Sequence, residues 1–343
     1  MNKKHLNHIE SLRAFAALSV AIFHFTNYYN GFDFLVESEA QRSVFRYGAQ
    51  GVEMFYMVSG FIIPYSLYKS RYQLKHYFHY LGKRLSRLLP PYFITIGLIV
   101  LIGCGLTTYL WGGVYDLKIK QIIANAFFAV DFIAAFDSLA GYFPDNTWMN
   151  PIFETLKVEL QFYLLIGLLF PLINKNRWVL ILLTLIWLYA GIETSSANTV
   201  LVHGPYFLLG LAGFFIFEEG WNKTSITVAV LALTSLFFYY VPQDFIVAIL
   251  TFAFILFVPS GFRFLNLTGR ISYSYYLTHG LTGSWFLYFT FDTPLAQDYP
   301  YLMVIFALLI SWIGAFIMYN GIEKPSMLIS KRIKYKNKKQ DNG

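Results

Sequence analysis

Apolar runs recur along almost the whole chain, near 11–29, 50–68, 90–110, 152–173, 178–192, 199–217, 225–241, 245–258, 271–290 and 300–319. A helix needs about 20 such residues to cross roughly 30 Å of hydrocarbon. The predicted fold is therefore an all-α integral membrane protein, a bundle of about ten transmembrane helices. The runs at 178–192 and 245–258 are short, and are expected to tilt, to extend into their loops or to be re-entrant. A further apolar stretch near 121–136 carries Asn125 and Asp131 and is expected to lie at the interface or be partly inserted.

Composition agrees with these runs. Hydrophobic residues make up 57% of the 343 and charged residues 13%, against about 25% charged in a soluble domain. Mean hydropathy is +0.50, which no single soluble core supplies. Lys3 and Lys4 precede the first run as in a signal peptide, but Arg13 and His24 interrupt it and no small-residue cleavage site closes it. It is expected to be a retained helix.

The net charge of +7 invites a nucleic-acid partner, but its distribution excludes one. With the N-terminus inside, the inner loops and ends hold 21 of the 26 Lys and Arg, the outer loops hold 4, and Lys157 sits within a run. That asymmetry orients a membrane protein with both termini in the cytoplasm. It also fits an even number of spans. Residues 1–330 are read as the transmembrane domain and 331–343 as a basic cytoplasmic tail suited to anionic lipid. The single Cys104 forms no internal disulfide, and no Cys/His cluster has zinc spacing.

Ionisable groups inside spans are costly and mark function. Four stand out: His24, Lys157, Glu159 and His279, with Arg13 at the mouth of the first span. Arg13 and His24 are eleven residues apart, almost three helical turns, so they share one face about 16 Å apart along the axis. A snorkelling arginine and a hydrogen-bonded histidine would also fit that spacing. Glu159 lies at a depth similar to His24, so the two are expected to be able to meet. Arg84 and Arg87, at i and i+3, lie before Pro90-Pro91, which are expected to begin the third span. Their planar forks suit phosphates, although positive-inside charge explains the spacing equally. His279 follows Ser272-Tyr273-Ser274-Tyr275-Tyr276-Leu277-Thr278, a polar face expected to turn inward. Gly48, Gly51, Ser59 and Gly60 around the second span are expected to permit close helix approach.

Six segments together resemble the membrane-bound acyltransferase 3 family, bacterial enzymes that mostly O-acylate glycans. They are Ile9-Glu10-Ser11-Leu12-Arg13-Ala14 through His24, Gly51-Val52-Glu53-Met54-Phe55-Tyr56-Met57-Val58-Ser59-Gly60-Phe61, Lys83-Arg84-Leu85-Ser86-Arg87-Leu88-Leu89-Pro90, Leu156 through Leu164 around Glu159, Ile271-Ser272-Tyr273-Ser274 through His279, and Ile322-Glu323-Lys324-Pro325. The resemblance covers nearly the whole chain. It departs from the family at Lys157, where a small polar residue is common, and at Leu160, where an acid is common. No esterase-like domain follows the tenth span, so the chain resembles the stand-alone subgroup.

The resemblance implies an acyl-CoA-dependent O-acetyltransferase of the bacterial cytoplasmic membrane, with acetyl-CoA as co-substrate, no bound cofactor and a glycan acceptor. It implies His24 as catalytic base and Arg13, Arg84 and Arg87 as the acyl-CoA-binding residues. Glu159 is expected to orient His24 or the acceptor. Ser59, Tyr275 and His279 are candidates for acceptor or oxyanion contacts. Direct transfer and an acyl-histidine intermediate both remain open. A multi-pass transporter or flippase of a glycan or small solute is the rival class, since intramembrane charges suit it equally.

Overall fold

The computed structural model describes residues 6–27, 44–102, 118–131, 149–194 and 198–333, and every regular element among them is helical. In chain order they are α1 Asn7–Asn27, α2 Gly51–Lys69, α3 Tyr77–Val100, α4 Ile119–Ala126, α5 Pro151–Lys175, α6 Arg177–Glu193, α7 Gly204–Glu219, α8 Lys223–Tyr239, α9 Pro242–Phe257, α10 Asn266–His279, α11 Trp285–Thr290, α12 Pro294–Asp298, α13 Pro300–Met318 and α14 Lys324–Arg332. Helix therefore occurs in the described part of each of the ten expected segments; residues 28–29 and 103–110 of two of them lie outside it. By length and hydropathy, three described helices meet the requirement for a span: Asn7–Thr26, Pro151–Lys175 and the continuous Pro300–Arg332. The apolar helices Lys223–Tyr239 and Pro242–Phe257 are shorter. Cys104 and most of the basic tail lie outside the described residues.

π-helical turns join α10 to α11, at Gly280–Ser284, and α13 to α14, at Tyr319–Glu323. Of the stretch near 121–136, residues 132–136 lie outside the described residues; the described part holds α4, eight residues long, and Phe128 after it has φ 54°. At 1.5 Å per residue α4 is about 12 Å long, too short to cross a bilayer. The expected start of the third span is corrected: α3 begins at Tyr77, and Pro90 and Pro91 lie inside it. A proline interior to a helix removes one N–H and its bond four residues back. Buried helices tolerate this where neighbours restore the lost polar contacts. The carbonyls left without that bond are those of Ser86 and Arg87; around this break the Tyr273 hydroxyl donates to the neighbouring Leu88 carbonyl at 2.7 Å and Thr95 Oγ1 to the Pro91 carbonyl at 2.8 Å.

Glycines set the closest approaches. A methyl group on Gly51 would come within 2.5 Å of the Ala16 carbonyl of α1. One on Gly60 would overlap the Phe207 carbonyl of α7, and one on Gly210 that of Met57. Helix α2 is thus held backbone to backbone between α1 and α7, the small-residue packing that membrane interiors use. A second close pair is α1 and α10, which run parallel: Gly269 faces the Glu10 backbone, and Gly283 faces Phe25 fourteen residues on. The outward surface is apolar, with Leu182, Ile186, Leu250, Phe257, Ile305, Leu309, Ile313 and Ile317 exposed. A hydrocarbon solvent suits such a surface; water does not.

Candidate active site

A cleft opens between α1, α2, α3, α5 and α10. Each helix contributes residues at helical spacing. Arg84, Arg87 and Leu88 come from one face of α3; Thr155, Glu159 and Tyr163 from successive turns of α5; Tyr273 and Tyr276 from α10. Arg13 enters from α1 and Ser59 from α2.

The three arginines converge at one end of this cleft. Arg13 Nε donates to Ser272 Oγ at 3.1 Å. The Arg84 guanidinium lies over the rings of Tyr80 and Tyr163, 5.8 and 5.9 Å from their centroids. Arg87 Nη2 is 3.9 Å from Glu323 Oε1. The i, i+3 spacing of Arg84 and Arg87 does present both to the same space.

The expected meeting of Glu159 and His24 does not occur. Glu159 Oε1 accepts hydrogen bonds from Ser59 Oγ at 2.9 Å and from the Tyr163 hydroxyl at 2.6 Å. The carboxylate faces α2 and its own next turn. Ser59, expected both to permit close packing and to be a candidate acceptor or oxyanion contact, spends its hydroxyl proton on Glu159.

His24 is outside the cleft wall and meets α10 instead. Its ring centroid is 5.1 Å from that of His279, with the planes at 68°. His279 is 0% exposed, and its ring is 6.1 Å from that of Tyr276, which does line the cleft. The cleft and the histidine pair therefore touch through Tyr276. The Tyr276 hydroxyl shares a 2.7 Å hydrogen bond with Thr155 Oγ1. Tyr275 turns away: its hydroxyl donates to the Leu308 carbonyl at 3.4 Å, and its ring stacks on His279. As a residue lining the cleft, Tyr276 replaces it.

Glu323 escaped the residue-by-residue reading although its motif did not. It is 0% exposed, and its Oε2 accepts from the Ser274 amide and hydroxyl at 3.2 and 2.7 Å. It closes the π-helical turn Tyr319–Glu323, a distortion that tends to accompany functional sites. An acidic residue at the end of the most apolar run was the available signal. Lys157, 6% exposed, is paired with Asp131 beyond α4, so its charge is met from the segment expected to lie at the interface or be partly inserted.

The model of a protein family described as an acyltransferase domain matches residues 6–319, nearly the whole chain. No curated protein and no solved structure matches it.

Proposed function

The chain belongs to this acyltransferase 3 family and is a membrane acyltransferase; from that premise we propose that it transfers an acetyl group from acetyl-CoA to a hydroxyl of a saccharide. The acceptor on this reading is a cell-surface polysaccharide or its lipid-linked precursor. The convergence of Arg13, Arg84 and Arg87 on one cleft with Ser59 and Glu159 supports it most directly. Phosphates of a CoA thioester are the natural counter-ions for three guanidinium groups, whose forks donate pairs of hydrogen bonds. The arginine end would open to the cytoplasm, with the N- and C-termini on the same side, and the glycan would approach from the opposite face.

His24 is the proposed base, because a neutral imidazole takes a proton near physiological pH. The acceptor oxygen attacks the thioester carbonyl carbon while its proton passes to His24. The carbon–sulfur bond then breaks, and the proton leaves with the thiolate as CoA thiol. Since His24 stands behind Tyr276, the acetyl group would have to reach the end of the cleft that Thr155 and Tyr276 close. Glu159, bonded to Ser59 and Tyr163, would hold those two hydroxyls along the wall. The family assignment favours acyl transfer over the transporter reading.

The test uses membranes of cells expressing the protein, with acetyl-CoA and the endogenous glycans, and follows CoA release and glycan acetylation by mass spectrometry. Changing His24→Ala should lower the rate by about 10²-fold or more while the purified variant melts as the parent does. A folded His24→Ala protein with full activity would overturn the assignment.

A further inference from the structure

His279 is held so that one nitrogen is committed and the other is not. Its Nδ1 lies 3.2 Å from the Tyr275 carbonyl oxygen. A carbonyl only accepts, so Nδ1 carries the hydrogen and, in the neutral ring, Nε2 keeps a bare lone pair. That Nε2 is buried and has no hydrogen-bond partner. A buried acceptor left open is costly in a membrane interior, and such a group persists where something transient fills it.

The neighbour placed to fill it is His24. The ring centroids are 5.1 Å apart with the planes at 68°, and no hydrogen bond joins His279 Nε2 to the other ring as they stand; at that separation a turn of the His24 ring toward Nε2 would bring a nitrogen of each to hydrogen-bond length. The parallel packing of α1 on α10 fixes this juxtaposition at several levels, through Gly269 on the Glu10 backbone, Arg13 on Ser272, and Phe25 against both His279 and Gly283. The π-helical turn begins at Gly280, directly after His279.

We infer that His279 is a positioning residue for His24, its Nε2 accepting the His24 N–H so that the other His24 nitrogen faces the acceptor hydroxyl. The inference rests on the proposed role of His24 as base. When the hydroxyl proton moves to His24, the ring becomes an imidazolium with two N–H groups. One donates to His279 Nε2, and the other delivers its proton to the departing thiolate. His279 neither gains nor loses a proton over the cycle; it orients the base and stabilises its charged form, as a carboxylate does in a hydrolytic triad.

Three variants separate this from packing. His279→Gln retains an acceptor at the reach of Nε2. His279→Asn retains only a donor at the reach of Nδ1. His279→Phe retains the ring and neither nitrogen. The readout is CoA release from acetyl-CoA in expressing membranes with endogenous glycans, against acetyl-CoA concentration. We expect Asn and Phe to lower kcat about 10²-fold with KM for acetyl-CoA within twofold of the parent, and Gln to keep most of kcat. Equal losses for Gln, Asn and Phe, or kcat of the Asn variant within threefold of the parent, would overturn the inference; the Asn variant decides if Phe does not fold. His24→Ala run in parallel distinguishes the failures. An active His24→Ala protein removes the base itself, whereas an inactive one beside an active His279→Asn protein removes only the positioning role.

Discussion

Tyr276 donates its hydroxyl proton to Thr155 at 2.7 Å, because the single proton of Thr155 is already given to the Ile152 carbonyl at 2.8 Å. This directed bond closes the cleft at the end away from the arginines, beside the His24–His279 pair. Shortening Tyr276 opens that end. Changing Tyr276→Ala should raise the kcat/KM of butyryl-CoA relative to acetyl-CoA about tenfold, within the range that one or two methylenes are worth in a pocket. Tyr276→Phe keeps the ring and should leave the ratio unchanged, at a stability cost of about 1 kcal/mol. Paired rate measurements with the two thioesters check both outcomes.

Glu323 makes a different kind of prediction. Its carboxylate holds Ser274 with one oxygen and faces Arg87 with the other. Changing Glu323→Gln keeps an oxygen for Ser274 and removes the charge facing Arg87. The Gln variant should melt near the parent temperature while its KM for acetyl-CoA rises several-fold. Glu323→Ala also strands the Ser274 amide and hydroxyl in a buried site, and should cost about 2 kcal/mol or more. Thermal unfolding in detergent and initial-rate kinetics separate the two effects.

Donor binding itself is accessible without the acceptor. Coenzyme A at about 100 times its Kd should stabilise the folded protein by about 2.7 kcal/mol, read as a rise in melting temperature. The double change Arg84→Ala and Arg87→Ala should abolish that rise. Replacing both by Lys should recover only part of it, because an ammonium lacks the planar fork.

The contact of α2 with α7 leaves no space for a side chain at position 60. A methyl group there meets the Phe207 carbonyl carbon and Cα at 3.0 Å, besides overlapping its oxygen. Changing Gly60→Ala must separate the two backbones and should cost about 1–3 kcal/mol, seen as a lower melting temperature. The displacement would carry Ser59 away from Glu159, so the stabilisation by coenzyme A should weaken too.

Several of these features were legible along the chain. The apolar runs located the helices, the spacing of Arg84 and Arg87 indicated a shared face, and the interrupted run of α1 marked Arg13 and His24 as residues that need partners. Pro90 misled, since a proline reads as a helix start and nothing local shows that the helix begun at Tyr77 runs on through it. Tyr275 and Tyr276 show a second limit. One residue is a turn of about 100° about the helix axis, so adjacent tyrosines point to different neighbours, and nothing local says which faces the cleft.

By itself the sequence determined an all-helical chain rich enough in apolar residues for a membrane, the motifs that assign its family, and the level of each ionisable group along its own helix. Those properties follow from local energetics: helical periodicity, and the expense of burying charge and unbonded backbone in hydrocarbon. Only the tertiary structure decided the pairings. Glu159 bonds Ser59 and Tyr163 and not His24, His24 meets His279, and Glu323 reaches Arg87 and Ser274. Partner choice depends on which helices lie side by side and how each is rotated. In this protein that is set by glycines that let particular backbones touch, a relation between distant residues that no single segment contains.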